Sequence, residues 1–336
     1  MKARFLLLSL VVVGSAFGQT PGTQWTAPKT AWGDPDLQGV YTTDDLNGIP
    51  LQRPAKYGTR RFLTEQELAD RAKDVGELES TIQTGNRPTK GFWAGQKGVD
   101  AAAVPAQWVE FARHASQLTS LVVDPPNGQI PPLTPDGEKR RAAAPNYFNM
   151  RPASWEDLSS YDRCITRGVT GSFFPSIYGN GSQILQTPGL VAIRYEMIHE
   201  TRLIPLDGRP HAGSGLRSYM GDPRGHFEGN TLVVETTNFI GGKVAVGNVP
   251  YSEDLKLMER FTRIDVNTID YQVTVDDPKT FTAPWTVEFP IRHEPGYQIF
   301  EYACHEGNHA MHNRLSAARA LEKQDAAKAA PGGSEK

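Results

Sequence analysis

The sequence predicts a mainly β protein, an antiparallel meander that is barrel-like and carries a few peripheral helices. Three observations lead there. From about residue 183 to 303 the chain reads as strand-length runs rich in Val, Ile, Thr and aromatics: SQILQT, LVAIRYEMIH, RLIPL, TLVVETTNF, LMERFTRID, TIDYQVTV, PWTVEFPI and YQIFEYAC. Two of them alternate strictly. Ile269, Tyr271, Val273 and Val275 oppose Asp270, Gln272, Thr274 and Asp276, and Trp285, Val287, Phe289 and Ile291 oppose Thr286, Glu288 and Arg292. Period two means one buried and one wet face, as in an antiparallel sheet. Finally, 32 Gly and 25 Pro suit a turn-rich β chain better than a helical bundle. The runs are joined mostly by short turns such as TPG, EGN and DVN, and no strand–helix–strand alternation argues for a doubly wound fold.

Taken in order, residues 1–18 read as a signal peptide. Lys2 and Arg4 form a basic start, Phe5–Val13 an apolar run and Ala16-Phe17-Gly18 a small-residue cleavage site. The run is too short for a bilayer, which takes about 20 apolar residues. No cysteine follows the cleavage site to carry a lipid. The expectation is a mature start at Gln19 and a periplasmic or extracellular protein without stable membrane insertion. Residues 19–104 read as an irregular N-terminal extension with one helix, from about 65 to 75, opened by Thr64 and Glu67 in capping-box spacing. DLQGVYTT within it is a short β-like run. Residues 105–321 read as the barrel-like domain. PAQWVEFARHA (105–115) suggests a helix with Pro105 in its first turn, SLVVD a short strand, and Thr134-Pro135 the start of another helix. YQIFEYAC is the last strand, Asn308 caps a C-terminal helix, and 322–336 reads as a disordered tail.

A formal charge of −3 without a basic stripe argues against a nucleic-acid partner. The two cysteines, Cys164 and Cys304, form a disulfide in an exported protein; two buried thiols or a metal site are the alternatives. HEGNH (305–309) matches the H-E-x-x-H pattern of zinc peptidases, which needs both histidines one turn apart on one helix. Gly307 and Asn308 between them suit a strand-to-helix junction instead, so His305 and Glu306 fall on a loop and His309 in the first turn. Zinc at His305 and His309 is therefore kept as an alternative only, and no cofactor is expected. There is no G-x-S-x-G elbow, P-loop or G-x-G-x-x-G, and Asp276-Asp277 reads as surface.

The densest chemistry lies in HETRLIPLDGRPHAGSGLRSYMGDPRGHFEGN, with His199, Arg202, Asp207, Arg209, His211, Arg217, Asp222, Arg224, His226 and Glu228. An unbroken strand along LVAIRYEMIH would put His199 on the apolar face. Asp207 and Gly208 make a turn, and Asp222 pairs with Arg224 around Pro223. Together these residues suit a barrel mouth that binds a small polar or anionic organic ligand. Arginine forks hold carboxylates or phosphates, and histidines move protons near neutral pH. The leading expectation is an enzyme of lyase, isomerase or hydrolase type. His199 or His211 is its base, Glu306 or Asp222 orients that base, and Arg202, Arg209, Arg217, Arg224 and His305 hold substrate. The alternatives are a non-catalytic secreted binding protein for a small ligand and a zinc metallohydrolase using His305 and His309.

The runs SLVVDPPNGQIPPLTPDG, QILQTPGLVAIRYEMIHETRLIPLDGRPH, GDPRGHFEGNTLVVETTNF and EYACHEGN resemble a family of secreted proteins abundant in soil bacteria, over about 115–320. The resemblance implies export and a shared fold, and it brings no reaction or cofactor with it. His199, Arg202, Asp207, Arg209, His211, Asp222, Arg224, His305 and Glu306 match the family pattern. His309 departs from it, because the family carries an aromatic there.

Overall fold

The computed structural model describes residues 25–84, 109–144, 150–242, 245–246 and 249–329. The expected signal peptide, its cleavage site and the last residues of the tail lie outside the described residues. The strands are β1 (Gly39–Thr42), β2 (Val122–Asp124), β3 (Ser182–Thr187), β4 (Leu190–Tyr195), β5 (Thr201–Pro205), β6 (Asp222–Glu228), β7 (Thr231–Thr237), β8 (Ala245–Val246), β9 (Val249–Pro250), β10 (Lys256–Arg263), β11 (Thr268–Asp276) and β12 (Trp285–His293). The helices are α1 (Glu65–Gln83), α2 (Pro135–Ala143), α3 (Gly168–Phe173) and α4 (His309–Ala329).

One antiparallel sheet runs β5-β4-β3-β1-β12-β11-β10-β7-β6, with β2 added beside β12, and curls into a nearly closed barrel, while β8 and β9 pair with each other apart from it. The expected inward face holds: Ile269, Tyr271, Val273, Val275, Trp285, Val287, Phe289 and Ile291 are all buried in the core. The expected wet face of β12 does not, because Thr286 and Glu288 are buried where β2 and Arg61 cover them. Phe173 on α3 plugs the interior, stacking on Tyr271 at 4.7 Å and meeting Tyr195 and Phe261 edge-on. At the seam β5 and β6 meet through side chains. A Cβ on Gly225 would come within 2.8 Å of both Ile204 and Leu206, so a side chain there would force the two edges apart.

Several local expectations hold. Thr64 and Glu67 form the capping box of α1: the Thr64 N–H donates to Glu67 at 2.8 Å, and the Glu67 N–H donates to Thr64 at 3.3 Å. Thr134 caps α2, accepting from the Gly137 N–H at 3.0 Å.

Others need correction. The barrel does not begin at about residue 105, because β1, from the irregular N-terminal extension, sits inside the sheet between β3 and β12. Residues 109–115 are not helical. The Glu110 N–H donates to the Ile177 carbonyl, and the Arg113 and His114 N–H groups donate to Asp45, so tertiary acceptors take the bonds a helix would use; 105–108 lie outside the described residues. YQIFEYAC forms no strand. A turn at Glu294–Tyr297 follows β12, whose two flanks are already paired with β1 and β11. The described part of the expected tail is helical, since α4 continues to Ala329 through residues of good helix propensity. Asp277 is buried, accepting from the Ser252 N–H and from the Ser252 and Thr280 hydroxyls, so it anchors a turn instead of facing water.

Candidate functional site

The structure distributes the expected polar belt over different surfaces. Arg202 points into the barrel and is fully buried, forking onto Glu259 of β10 with Nη1–Oε1 at 2.9 Å; Thr236 and Tyr271 complete the network. It holds the seam from inside and is not free to clamp a ligand. His199 is exposed, because β4 ends at Tyr195 and the chain turns through Met197–His199 before β5. Its Nδ1 faces the Tyr302 carbonyl at 3.1 Å. His211 lies against the outer wall of β6 and β7, with Nδ1 3.2 Å from Asp222 and Nε2 3.1 Å from Glu235. Arg224 is held by Asp222, as expected, and by the Pro210 carbonyl. Asp207 and Arg209 pair with each other in an exposed turn. Arg217 binds the Phe239 and Glu253 carbonyls. His305 and Glu306 sit in an exposed turn and only His309 belongs to α4, so the H-E-x-x-H pattern spans two elements. Among the described residues no group of three or more His, Cys, Asp or Glu is arranged to hold a metal. His199 and His211 share no partner, and the single mouth expected to unite the belt is not formed.

A different set of residues converges, through strand stagger. The register passes from His293 to Tyr41, Ser182 and Tyr195, so the end of β12, the start of β3 and the end of β4 stand level. This brings together the turn after β4, the loop before β3, the loop after β1 and the segment after β12. Asn180, buried just before β3, holds two carboxyl groups: its N–H donates to Glu110 Oε2 at 3.0 Å and its Nδ2 to Asp44 Oδ1 at 2.9 Å. Burial first, then Asp44, raise the Glu110 pKa to about 8. Glu196 accepts from the Gly181 N–H at 3.2 Å and from the Tyr297 hydroxyl at 2.6 Å. Glu110 also stands in the wall of a cleft of about 710 Å³ between α1 and the loops at 46–49, 109–112 and 175–177.

Behind this acidic group is a cluster of tyrosines. The Tyr161 and Tyr178 hydroxyls meet at 3.1 Å, the Tyr178 and Tyr302 rings lie nearly parallel with centroids 6.5 Å apart, and the Arg167 guanidinium sits 5.6 Å from the Tyr161 ring. Cys164 and Cys304 stand as a disulfide requires, with sulfurs 2.13 Å and Cα atoms 5.6 Å apart, three residues after Tyr161 and two after Tyr302. The backbone nearby is unusual. Cys164, Ile198 and His199 all have positive φ, which β-branched Ile198 in particular disfavours. Strain of this kind persists where surrounding packing holds it.

Of these residues, sequence reasoning singled out His199 and the two cysteines and missed Glu110, Asp44, Asn180, Glu196, Arg167 and the tyrosines. The available signal was the tyrosine just before each cysteine, in YDRC and YAC. Asn180 and Glu110 are 70 residues apart and no local pattern joins them. No family model matches this chain, and neither a curated protein nor a solved structure does.

Proposed function

We propose that the protein is an exported enzyme acting on a small polar or anionic organic molecule by acid–base chemistry, with the Glu110–Asp44 pair at its centre. The observation that carries this is a pair of carboxyls held by Asn180, one of which, Glu110, stands in the wall of a cleft with its pKa raised by burial to about 8. A carboxyl raised by burial beside a second carboxyl suits acid–base work. Glu110 donates the proton, Asp44 accepts one, and Asn180 keeps both in place. Glu196 and Tyr297 extend the polar wall. Export is supported by the disulfide-compatible cysteine pair, and among the described residues no helix is long and apolar enough to cross a membrane.

A panel of small acids, esters and hydroxy compounds, followed by NMR for loss of substrate, tests the reading. Turnover by the wild type, lost in both Glu110→Gln and Asp44→Asn while each keeps its fold, supports it. Turnover that survives both substitutions overturns it.

One observation favours a second reading, a non-catalytic binder of small ligands. The Glu110 carbonyl accepts from Asn47 Nδ2 at 2.6 Å, so the same residues also clasp three loops. In that case the panel shows binding without turnover.

A further inference from the structure

Arg167 is the residue whose surroundings leave most unexplained. It lies deep among neighbouring side chains yet keeps some contact with solvent, and among the described residues no carboxylate, carbonyl or hydroxyl accepts a hydrogen bond from its guanidinium. The other deeply placed arginines have acceptors: Arg202 has Glu259, although its Nε is left without one, Arg53 has two carbonyls and a threonine hydroxyl, and Arg71 has two carbonyls. Burying a cation without a partner is costly, and folded proteins avoid it unless a ligand completes the site. What faces Arg167 is aromatic: the rings of Tyr161, Tyr178 and Tyr302.

We infer that Arg167 and these three tyrosines form an anion subsite near Glu110, next to the cleft and outside its lining, and take the carboxylate of a flat aromatic or conjugated acid. The guanidinium fork matches a carboxylate in two parallel hydrogen bonds. The tyrosine rings offer flat apolar walls to the rest of such a molecule, and their hydroxyls are donors. The electrostatics agree. Glu110 is the carboxyl that Arg167 senses, but burial and Asp44 keep it protonated below about pH 8, so it does not neutralise the cation. An anionic ligand supplies the counter-charge. The inference rests on the acid–base reading for its direction: an acid bound at Arg167 presents its organic portion to Glu110.

The test uses the purified, oxidised full chain with benzoate, its neutral analogue benzamide and inorganic phosphate, each titrated calorimetrically and by thermal melting. Benzoate is expected to bind and raise the melting temperature, with benzamide and phosphate at least tenfold weaker. Arg167→Gln is expected to lower benzoate affinity tenfold or more, and Arg167→Lys, which keeps the charge but loses the fork, to lower it severalfold. Tyr161→Phe is expected to weaken it less. Benzoate affinity should fall from pH 6 to pH 9 as Glu110 ionises. Asp44, Glu196 and Tyr297 are the other titratable groups facing Glu110. Equal binding of benzamide, or phosphate binding that depends on Arg167 as strongly as benzoate does, overturns the inference. So does benzoate affinity unchanged in Arg167→Lys, the variant to use if Arg167→Gln does not fold. The two readings fail separately: benzoate binding that depends on Arg167 while Glu110→Gln keeps full turnover removes only the acid–base assignment.

Discussion

At the scale of single residues, two carboxyls govern how stability responds to pH. Burial, with Asp44, holds Glu110 at about 8, and burial, with Glu288, holds Asp270 at about 7, from ordinary values of 4.5 and 3.8. Both are raised, so between about pH 4 and 8 the folded chain binds protons that the unfolded chain has released, and stability falls as pH rises through that window. Urea midpoints at pH 5 and pH 8 check this. Glu110→Gln should flatten the upper part of the fall, and Asp270→Asn the middle; an unchanged slope in both would show the two carboxyls to be ionised in the fold. A second prediction concerns the Arg202–Glu259 pair. Arg202→Met alone leaves Glu259 buried without its cation and should cost about 3–5 kcal/mol. The double variant Arg202→Met/Glu259→Leu should cost clearly less. Denaturant titration of the single and double variants separates the two cases. Arg202 was legible as an important arginine but not as an internal one, because Glu259 reads as one more polar position until the strand faces are known.

At the scale of elements, the contact between Cys164 and Cys304 links segments 140 residues apart. A bridge over that separation stabilises by up to about 5 kcal/mol in the chain-entropy picture. Cys164→Ser/Cys304→Ser is therefore expected to lower the melting temperature markedly, and to weaken benzoate binding beyond that loss, because Tyr161 and Tyr302 stand beside the two cysteines. Comparing the double variant with the wild type below both transitions isolates the binding effect. The cap of α1 gives a smaller, local test: Thr64→Ala should cost about 1 kcal/mol, read by denaturant midpoint, with the barrel signal unchanged. Capping boxes and alternation were readable because each is contained within a few residues. The expected helix over 109–115 failed for the opposite reason. Its N–H groups bond to Asp45 and Ile177, partners that its own periodicity does not reveal.

At the scale of the whole molecule, the barrel depends on a seam that side chains close. Gly225→Val should push β5 and β6 apart and cost about 1–3 kcal/mol, measured by thermal and urea unfolding. A stability equal to the wild type would mean that the seam has room the packing of Ile204 and Leu206 does not suggest. The same closure explains the fate of the polar belt. Its residues are neighbours in sequence, yet they alternate between the inside and outside of the wall and then cross it, which sends Arg202 inward, His211 outward and His199 to a turn.

From the sequence alone came the β architecture, the placement of most strands, their buried faces and the pairing of the cysteines. Each follows from side-chain direction along an extended chain or from composition, and both are local properties. The tertiary structure alone decided which polar groups meet. Sheet register and stagger arise from pairing between distant strands, and it is that stagger which carries Glu110, Asp44, Asn180 and Arg167, unremarkable in their own segments, to one end of the barrel.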